Sequence, residues 1–117
     1  MAKRAARPSV LSEGSFGAFV LDQLSGLSGV EARPMFGGAG FYLRGSFFGI
    51  LYKQRLYLRV SDKTIGEYQK RKMKPFTPFA GRRGTSRNYY QVPVEILESP
   101  RDLIAWARKA AKAREGS

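Results

Sequence analysis

The 117-residue chain carries 21 Lys and Arg against 9 Asp and Glu, a formal net charge of +12, and contains neither His nor Cys. A chain of this length makes one domain that buries roughly two thirds of its unfolded surface without help from a metal or a disulfide. Without imidazoles and thiols it lacks the usual proton shuttle near neutral pH, the thiolate nucleophile and the common transition-metal ligands, which removes most enzyme classes; no cofactor and no metal are expected.

The excess of cations favours polyanions, chiefly nucleic acid, and acidic protein surfaces as partners. A GC-rich genome, which enriches Arg, Ala and Gly throughout, produces the same balance with no partner at all. Apolar runs such as Phe47-Phe48-Gly49-Ile50-Leu51-Tyr52 fall far short of the ~20 residues that a membrane helix needs. The basic start leads into no apolar signal segment, so the expected location is the cytoplasm, with no membrane partner.

Residues 1–8 read as a flexible basic arm, with Lys3, Arg4 and Arg7 among small residues, and residues 9–117 as a single domain. Phe16, Phe19, Val20, Leu24 and Leu27 recur at helical spacing after Ser12, a suitable N-cap, and glycines between Ser25 and Gly29 stop that helix. Strands are expected over Val30–Phe36, Gly40–Leu43, Phe47–Tyr52 and Leu56–Val60, with turns at Arg44-Gly45 and Lys53-Gln54-Arg55. Pro34 assigns the first of them to a sheet edge or a bulge. In the fourth, Leu56, Leu58 and Val60 face one way and Tyr57 and Arg59 the other, so one sheet face meets helices and the other, carrying aromatic and basic groups, is wet.

Asp62 is placed to cap a second helix through Tyr68 and Gln69, which the cations Lys70 to Lys74 close. An extended Pro75-Phe76-Thr77-Pro78-Phe79 follows, then a mobile loop over 80–88 and a last short strand, Tyr89 to Val92, ended by Pro93. Ser99, Pro100 and Asp102 punctuate the start of a closing helix whose apolar face is Leu103, Ile104, Trp106, Ala107 and Ala110. The fold class is thus α+β with two layers: an antiparallel sheet of four to five strands, helices mainly on one face, and the order α-β-β-β-β-α-β-α. Phe36 and Trp106 are expected in the core.

The candidate site for nucleic acid or another anion is Lys70, Arg71, Lys72, Lys74, Arg82, Arg83 and Arg87, a stretch with no acid inside it and with Phe76, Phe79, Tyr89 and Tyr90 close by. A solvated loop over core aromatics is the competing reading. The glycines of Phe36-Gly37-Gly38-Ala39-Gly40 lack the Lys-Ser/Thr of a phosphate loop and open no helix, so they belong to a tight strand connection. Arg44 to Tyr52 partly follows the stacking strand of RNA-recognition sheets, with Leu56 to Val60 like its companion, but their order is reversed; Tyr52 or Tyr57, if exposed, could stack on bases. Glu95, Glu98 and Asp102 form the closest group of acids, and they read as helix N-terminal acids; as catalytic groups they would make the chain a carboxylate-dependent hydrolase.

Taken together, Arg33-Pro34-Met35-Phe36-Gly37-Gly38-Ala39-Gly40-Phe41-Tyr42, Gly45 with Phe47 and Phe48, Leu56-Tyr57-Leu58, Met73-Lys74-Pro75-Phe76, Tyr89-Tyr90-Gln91-Val92-Pro93 and Leu103 to Arg108 resemble the N-terminal domain of the TfoX/Sxy family of bacterial competence regulators. The resemblance implies a stand-alone version of that domain, since the full-length regulators carry a second, C-terminal domain. It further implies a non-enzymatic role in the transcriptional regulation of competence or DNA-uptake genes. The matching residues are mostly glycines, prolines and core aromatics, which name no active site. Arg33-Pro34 and Arg44 depart from the family's usual choices at those positions. A protein-binding module or a homodimer formed through an exposed sheet edge is the alternative.

Overall fold

Strands β1 (Val30–Met35), β2 (Gly38–Leu43), β3 (Ser46–Tyr52) and β4 (Arg55–Arg59) form an antiparallel meander in sequence order. The computed structural model describes residues 15–35, 37–77 and 86–116, with the backbone alone at 86, 87 and 114–116. Two-residue turns join β2 to β3 and β3 to β4: Arg44 and Gly45 have φ of 50° and 89°, and Lys53 and Gln54 have φ of 49° and 61°. Positive φ at both central residues gives a turn whose twist matches that of the strands. The second turn is shorter than the sequence suggested, because Arg55 already pairs with Tyr52.

β2 and β3 change register between Phe41 and Tyr42: Phe41 pairs with Gly49, but Tyr42 pairs with Phe47. The extra residue is Phe48. This bulge lets Phe48 turn toward the helices, where its ring meets Phe41 edge-on at 6.3 Å, while Phe47 stays on the opposite face beside Tyr42.

β6 (Ser86–Gln91) pairs with β4, and β5 (Pro75–Phe76) with β6, giving the six-stranded order β1-β2-β3-β4-β6-β5. β1 is therefore an edge, one of the two placements that Pro34 allows. The expected four to five strands become six because Pro75-Phe76 does not merely run extended: Phe76 is buried, and the segment pairs with β6.

Helices α1 (Ser15–Gln23), α2 (Ile65–Gln69), α3 (Val94–Leu97) and α4 (Pro100–Gly116) cover one sheet face. α3 is an addition to the expected order, which becomes α-β-β-β-β-α-β-β-α-α. Pro93, with φ −64°, both ends the last strand and starts this short helix, its carbonyl accepting from the N–H groups of Ile96 and Leu97.

The principal core joins Val20 of α1, Leu24 just past its end, and Leu103 and Ala107 of α4 to Phe41, Phe48, Leu51, Leu56 and Leu58 of the sheet. Small residues bring α4 close to the sheet, so that the Ser46 hydroxyl reaches the Ala111 carbonyl at 3.3 Å. Trp106, expected inside, is only partly buried and sets its ring edge-on to Tyr68 at 4.8 Å, at the margin of the core. Phe36 lies outside the described residues, as do the arm, Ser12, Phe79 and residues 80–85.

Ser99 caps α4: its hydroxyl accepts from the Asp102 N–H at 3.2 Å. The reciprocal half of a capping box is missing, because the Ser99 N–H is already bonded to the Ile96 carbonyl. Thr64, not Asp62, stands at the N-cap of α2, its hydroxyl accepting from the Ser61 N–H at 2.9 Å. α2 ends with Lys72 at φ 60° and with bonds from the Lys72 N–H to the Gln69 carbonyl and the Met73 N–H to the Tyr68 carbonyl, a Schellman closure built without glycine.

Candidate nucleic-acid interface

Alternation along the strands decides what the second sheet face carries. Val30 and Ala32 of β1 pack into the principal core, so Glu31 and Arg33 point away from it. By the same rule Tyr42, Phe47, Ile50, Tyr52, Arg55, Tyr57, Arg59 and Tyr89 lie opposite the helices, and a second cluster of Ile50, Tyr57, Phe76 and Tyr89, with Phe47 and Tyr52 packed against it, confirms the placement. Glu31 is the sole acid in the six strands.

Two groups of rings occupy this face. Tyr42, Phe47 and Tyr89 form a row, with centroids 5.1 Å and 5.6 Å apart. A guanidinium stands at each end: Arg33 is 4.7 Å from the Tyr42 ring, and Arg59 is 5.6 Å from the Tyr89 ring while donating from Nη1 to its hydroxyl at 3.1 Å. The Arg59 Nε is buried and finds no acceptor among the described residues. Tyr52, Phe76 and Tyr57 form the second group, with centroids 5.7 Å and 4.9 Å apart and the Lys53 ammonium 5.5 Å from the Tyr52 ring. Phe76 covers Tyr57, which is therefore buried and unable to offer its ring to a base, whereas Tyr52 keeps part of its surface. Burial raises the pKa of the Tyr57 hydroxyl above its ordinary value, against the opposing effect of Arg55.

The basic stretch picked out in the sequence divides in space. Lys70 and Arg71 turn to the helices, where neighbouring Glu67 and, for Arg71, the sequence-distant Glu95 pair with them. Arg71 donates to Glu67 at 2.8 Å and to Glu95 at 3.4 Å, lies 5.4 Å from the Trp106 ring, and Lys70 approaches Glu67 at 3.7 Å. The Arg71 hydrogen bond, helped by the charge of Lys70, lowers the pKa of Glu67, and the same bond raises that of Arg71. Lys72 and Lys74 instead share a groove with Arg55 and Tyr57, beside the ring-bearing face. Arg82 and Arg83 lie outside the described residues, and Arg87 is described only by its backbone in β6.

The ring row and its guanidinium ends, Arg33, Tyr42, Phe47 and Arg59, were missed as a site because each stands alone in sequence. The alternation of β4 was the one available signal, and its extension across β1 to β3 needed the bulge at Phe48, which sequence does not show.

The helix side has cations too. Arg44, Arg108 and Lys112 line one hollow and Lys63, Lys109 and Lys112 another, with no acid or ring on either among the described residues. A cleft of about 330 Å³ between α2 and α4 is lined by Glu67 and Asp102 together with Lys63, Arg71 and Lys109, and by Arg59 from the end of β4, so the acids are outnumbered there.

These features define an α+β domain with one sheet face packed by helices and the other bearing rings and cations. The chain belongs to the TfoX N-terminal domain family, whose model matches residues 22–114. No curated protein matches the sequence. No helix among the described residues is long and apolar enough to cross a membrane.

Proposed function

We propose that this domain is a non-enzymatic regulatory module that binds nucleic acid through its helix-free sheet face, and that it serves the transcriptional control of competence or DNA-uptake genes. The observation that carries the reading is the charge of that face: Arg33, Arg55 and Arg59 on the strands, Lys53 in a turn and Lys72 and Lys74 at the rim, against the lone acid Glu31. Cations gathered in this way displace the counterions that condense on a polyphosphate. The family supplies the biological setting.

The non-enzymatic part is supported by a chain without His or Cys, and by the use of Glu95 as a partner of Arg71 rather than as a free acid. Pairing of two copies edge to edge is less favoured, because Pro34 interrupts the donor row of β1 and β5 is only two residues long.

The test is the affinity of nuclease-treated protein for DNA over a series of salt concentrations. With about four phosphates contacted, log affinity falls against log salt with a slope of about −3 to −4. An absence of binding at moderate salt overturns the reading. In the cell, a strain lacking the gene loses transcripts of DNA-uptake genes, and a variant with Lys72 and Lys74 changed to Gln fails to restore them; unchanged transcripts in the deleted strain contradict the regulatory part.

A further inference from the structure

We infer that the helix-free face is a stacking platform for single-stranded nucleic acid, on which Tyr42 and Phe47 each carry a base and Arg33 holds the phosphate between or beside them. This rests on the nucleic-acid reading above and narrows it to unpaired strands.

Three observations lead there. The first is the set of the Phe47 ring: its Cε1 lies 2.9 Å from where a Cβ on Gly40 would be, so the ring rests on strand β2 at a place kept bare by a glycine. Tyr42, next to it, and Phe47 itself are partly exposed, while Tyr89 at the far end of the row is buried and acts as their backing. Apolar rings left at a surface beside cations have the form of base-stacking sites, since every base offers a π-face of about the size of such a ring.

The second is Arg33. Its side chain is 60% exposed and bonded to an equally exposed Glu31 at 3.0 Å while lying over Tyr42. An exposed pair of this kind is held weakly. The guanidinium can exchange Glu31 for a phosphate without leaving the ring, and the phosphate gains a bidentate donor.

The third is shape. Among the described residues the face is a sheet with no helix or projecting ribbon, the elements that read a duplex in its major groove. In a duplex the bases stack on one another and their faces are closed to side chains. Only an unpaired strand can lay successive bases on Tyr42 and Phe47.

The experiment compares a dT oligonucleotide of about sixteen nucleotides with a duplex of the same length, using the full chain. Tyr42→Leu and Phe47→Leu should each weaken binding of the dT strand by roughly five- to a hundred-fold with its salt slope unchanged, and leave the duplex affinity alone. Arg33→Gln should lower the salt slope for the dT strand by about 1, and Tyr42→Phe should bind like the parent. Because Phe47→Leu could disturb the fold, the unaltered protein gives a second readout: ring-proton resonances of Tyr42 and Phe47 shift on addition of the dT strand and those of Trp106 do not. Ring variants with the parent's thermal midpoint and the parent's dT affinity overturn the platform, as does equal weakening of duplex and single strand, or unmoved Tyr42 and Phe47 resonances. In those cases nucleic-acid binding itself still stands. A parent that binds neither probe removes both readings.

Discussion

The Cε1 of Phe47 occupies space that a Cβ on Gly40 would enter, 2.9 Å from its position, with the Met35 sulfur 3.0 Å from the same point. Gly40→Ala must therefore displace a ring on a packed surface rather than a flexible chain end. Overpacking of this kind costs about 1–3 kcal/mol. Urea denaturation checks it, and a midpoint equal to the parent's would show that Phe47 does not rest on Gly40.

Two other glycines are expected to behave in opposite ways. A Cβ at Gly38 would fall onto the Leu51 carbonyl oxygen, part of a neighbouring strand's backbone, so Gly38→Ala should prevent formation of the native sheet or cost more than Gly40→Ala. At Gly66, within α2, a Cβ meets nothing within 4 Å, and Gly66→Ala should stabilise by about 0.5–1 kcal/mol. The order of the three midpoints is the measurement.

Lys72 holds a left-handed conformation, φ 60°, at the point where α2 closes. A side chain there costs about 1–2 kcal/mol relative to glycine, so Lys72→Gly should raise the denaturation midpoint. The same change removes a cation from the rim of the ring-bearing face and should weaken DNA binding. Stability that rises while affinity falls separates a binding role from a folding role in one variant. Stability and affinity that fall together would contradict the cap geometry.

Leu103 is wholly buried in the principal core, while Trp106, three positions on, stands at its margin against Tyr68 and Arg71. Leu103→Ala is expected to cost about 2–5 kcal/mol. Trp106→Ala should cost less than the roughly 3–5 kcal/mol of a fully enclosed large aromatic. Thermal or urea midpoints that reverse this order would place Trp106 inside the core after all.

The meander was legible because each of its strands is a short apolar run between glycines or polar turn residues, and α4 was legible from Ser99 and Pro100. What sequence could not show is where the chain meets itself at long range. β5 exists only because β6 lies beside Pro75-Phe76. The basic stretch divides in space partly for the same reason. No acid interrupts it in sequence, yet Glu95, far along the chain, meets Arg71 beside neighbouring Glu67, and these exposed pairs draw Lys70 and Arg71 toward the helices. The tyrosines behaved likewise: Tyr57 has the same alternation as exposed Arg55, and only the approach of Phe76 buries it.

The pKa shifts fix the sign of two pH effects. Glu67 has its pKa lowered in the folded state by the Arg71 hydrogen bond, so the stability it contributes is fully present above its ordinary value of 4.5 and is lost as pH falls through the lower, folded value. Glu67→Gln should flatten the acid limb of the midpoint-against-pH curve. Tyr68 and Tyr57 have theirs raised by burial, so their contribution is complete below the ordinary 10.0 and disappears as pH rises through the folded values. Tyr68→Phe should remove part of the alkaline loss. Acid and alkaline limbs unaffected by either substitution would contradict the shifts.

The central claim is that nucleic acid meets the ring-bearing sheet face and not the equally cationic helix side. The direct measurement is the salt slope of DNA binding in two double variants, Lys72→Gln with Lys74→Gln and Lys109→Gln with Lys112→Gln. Each pair removes two charges, so net charge falls by the same amount and any difference reports position. The first pair should flatten the slope by up to about 2 and the second should leave it close to the parent's, since every phosphate deprived of its cation takes about one from the slope. Equal flattening by both pairs, or a larger effect from Lys109 and Lys112, would mean that DNA binds by general charge or on the helix side, and would contradict the assignment.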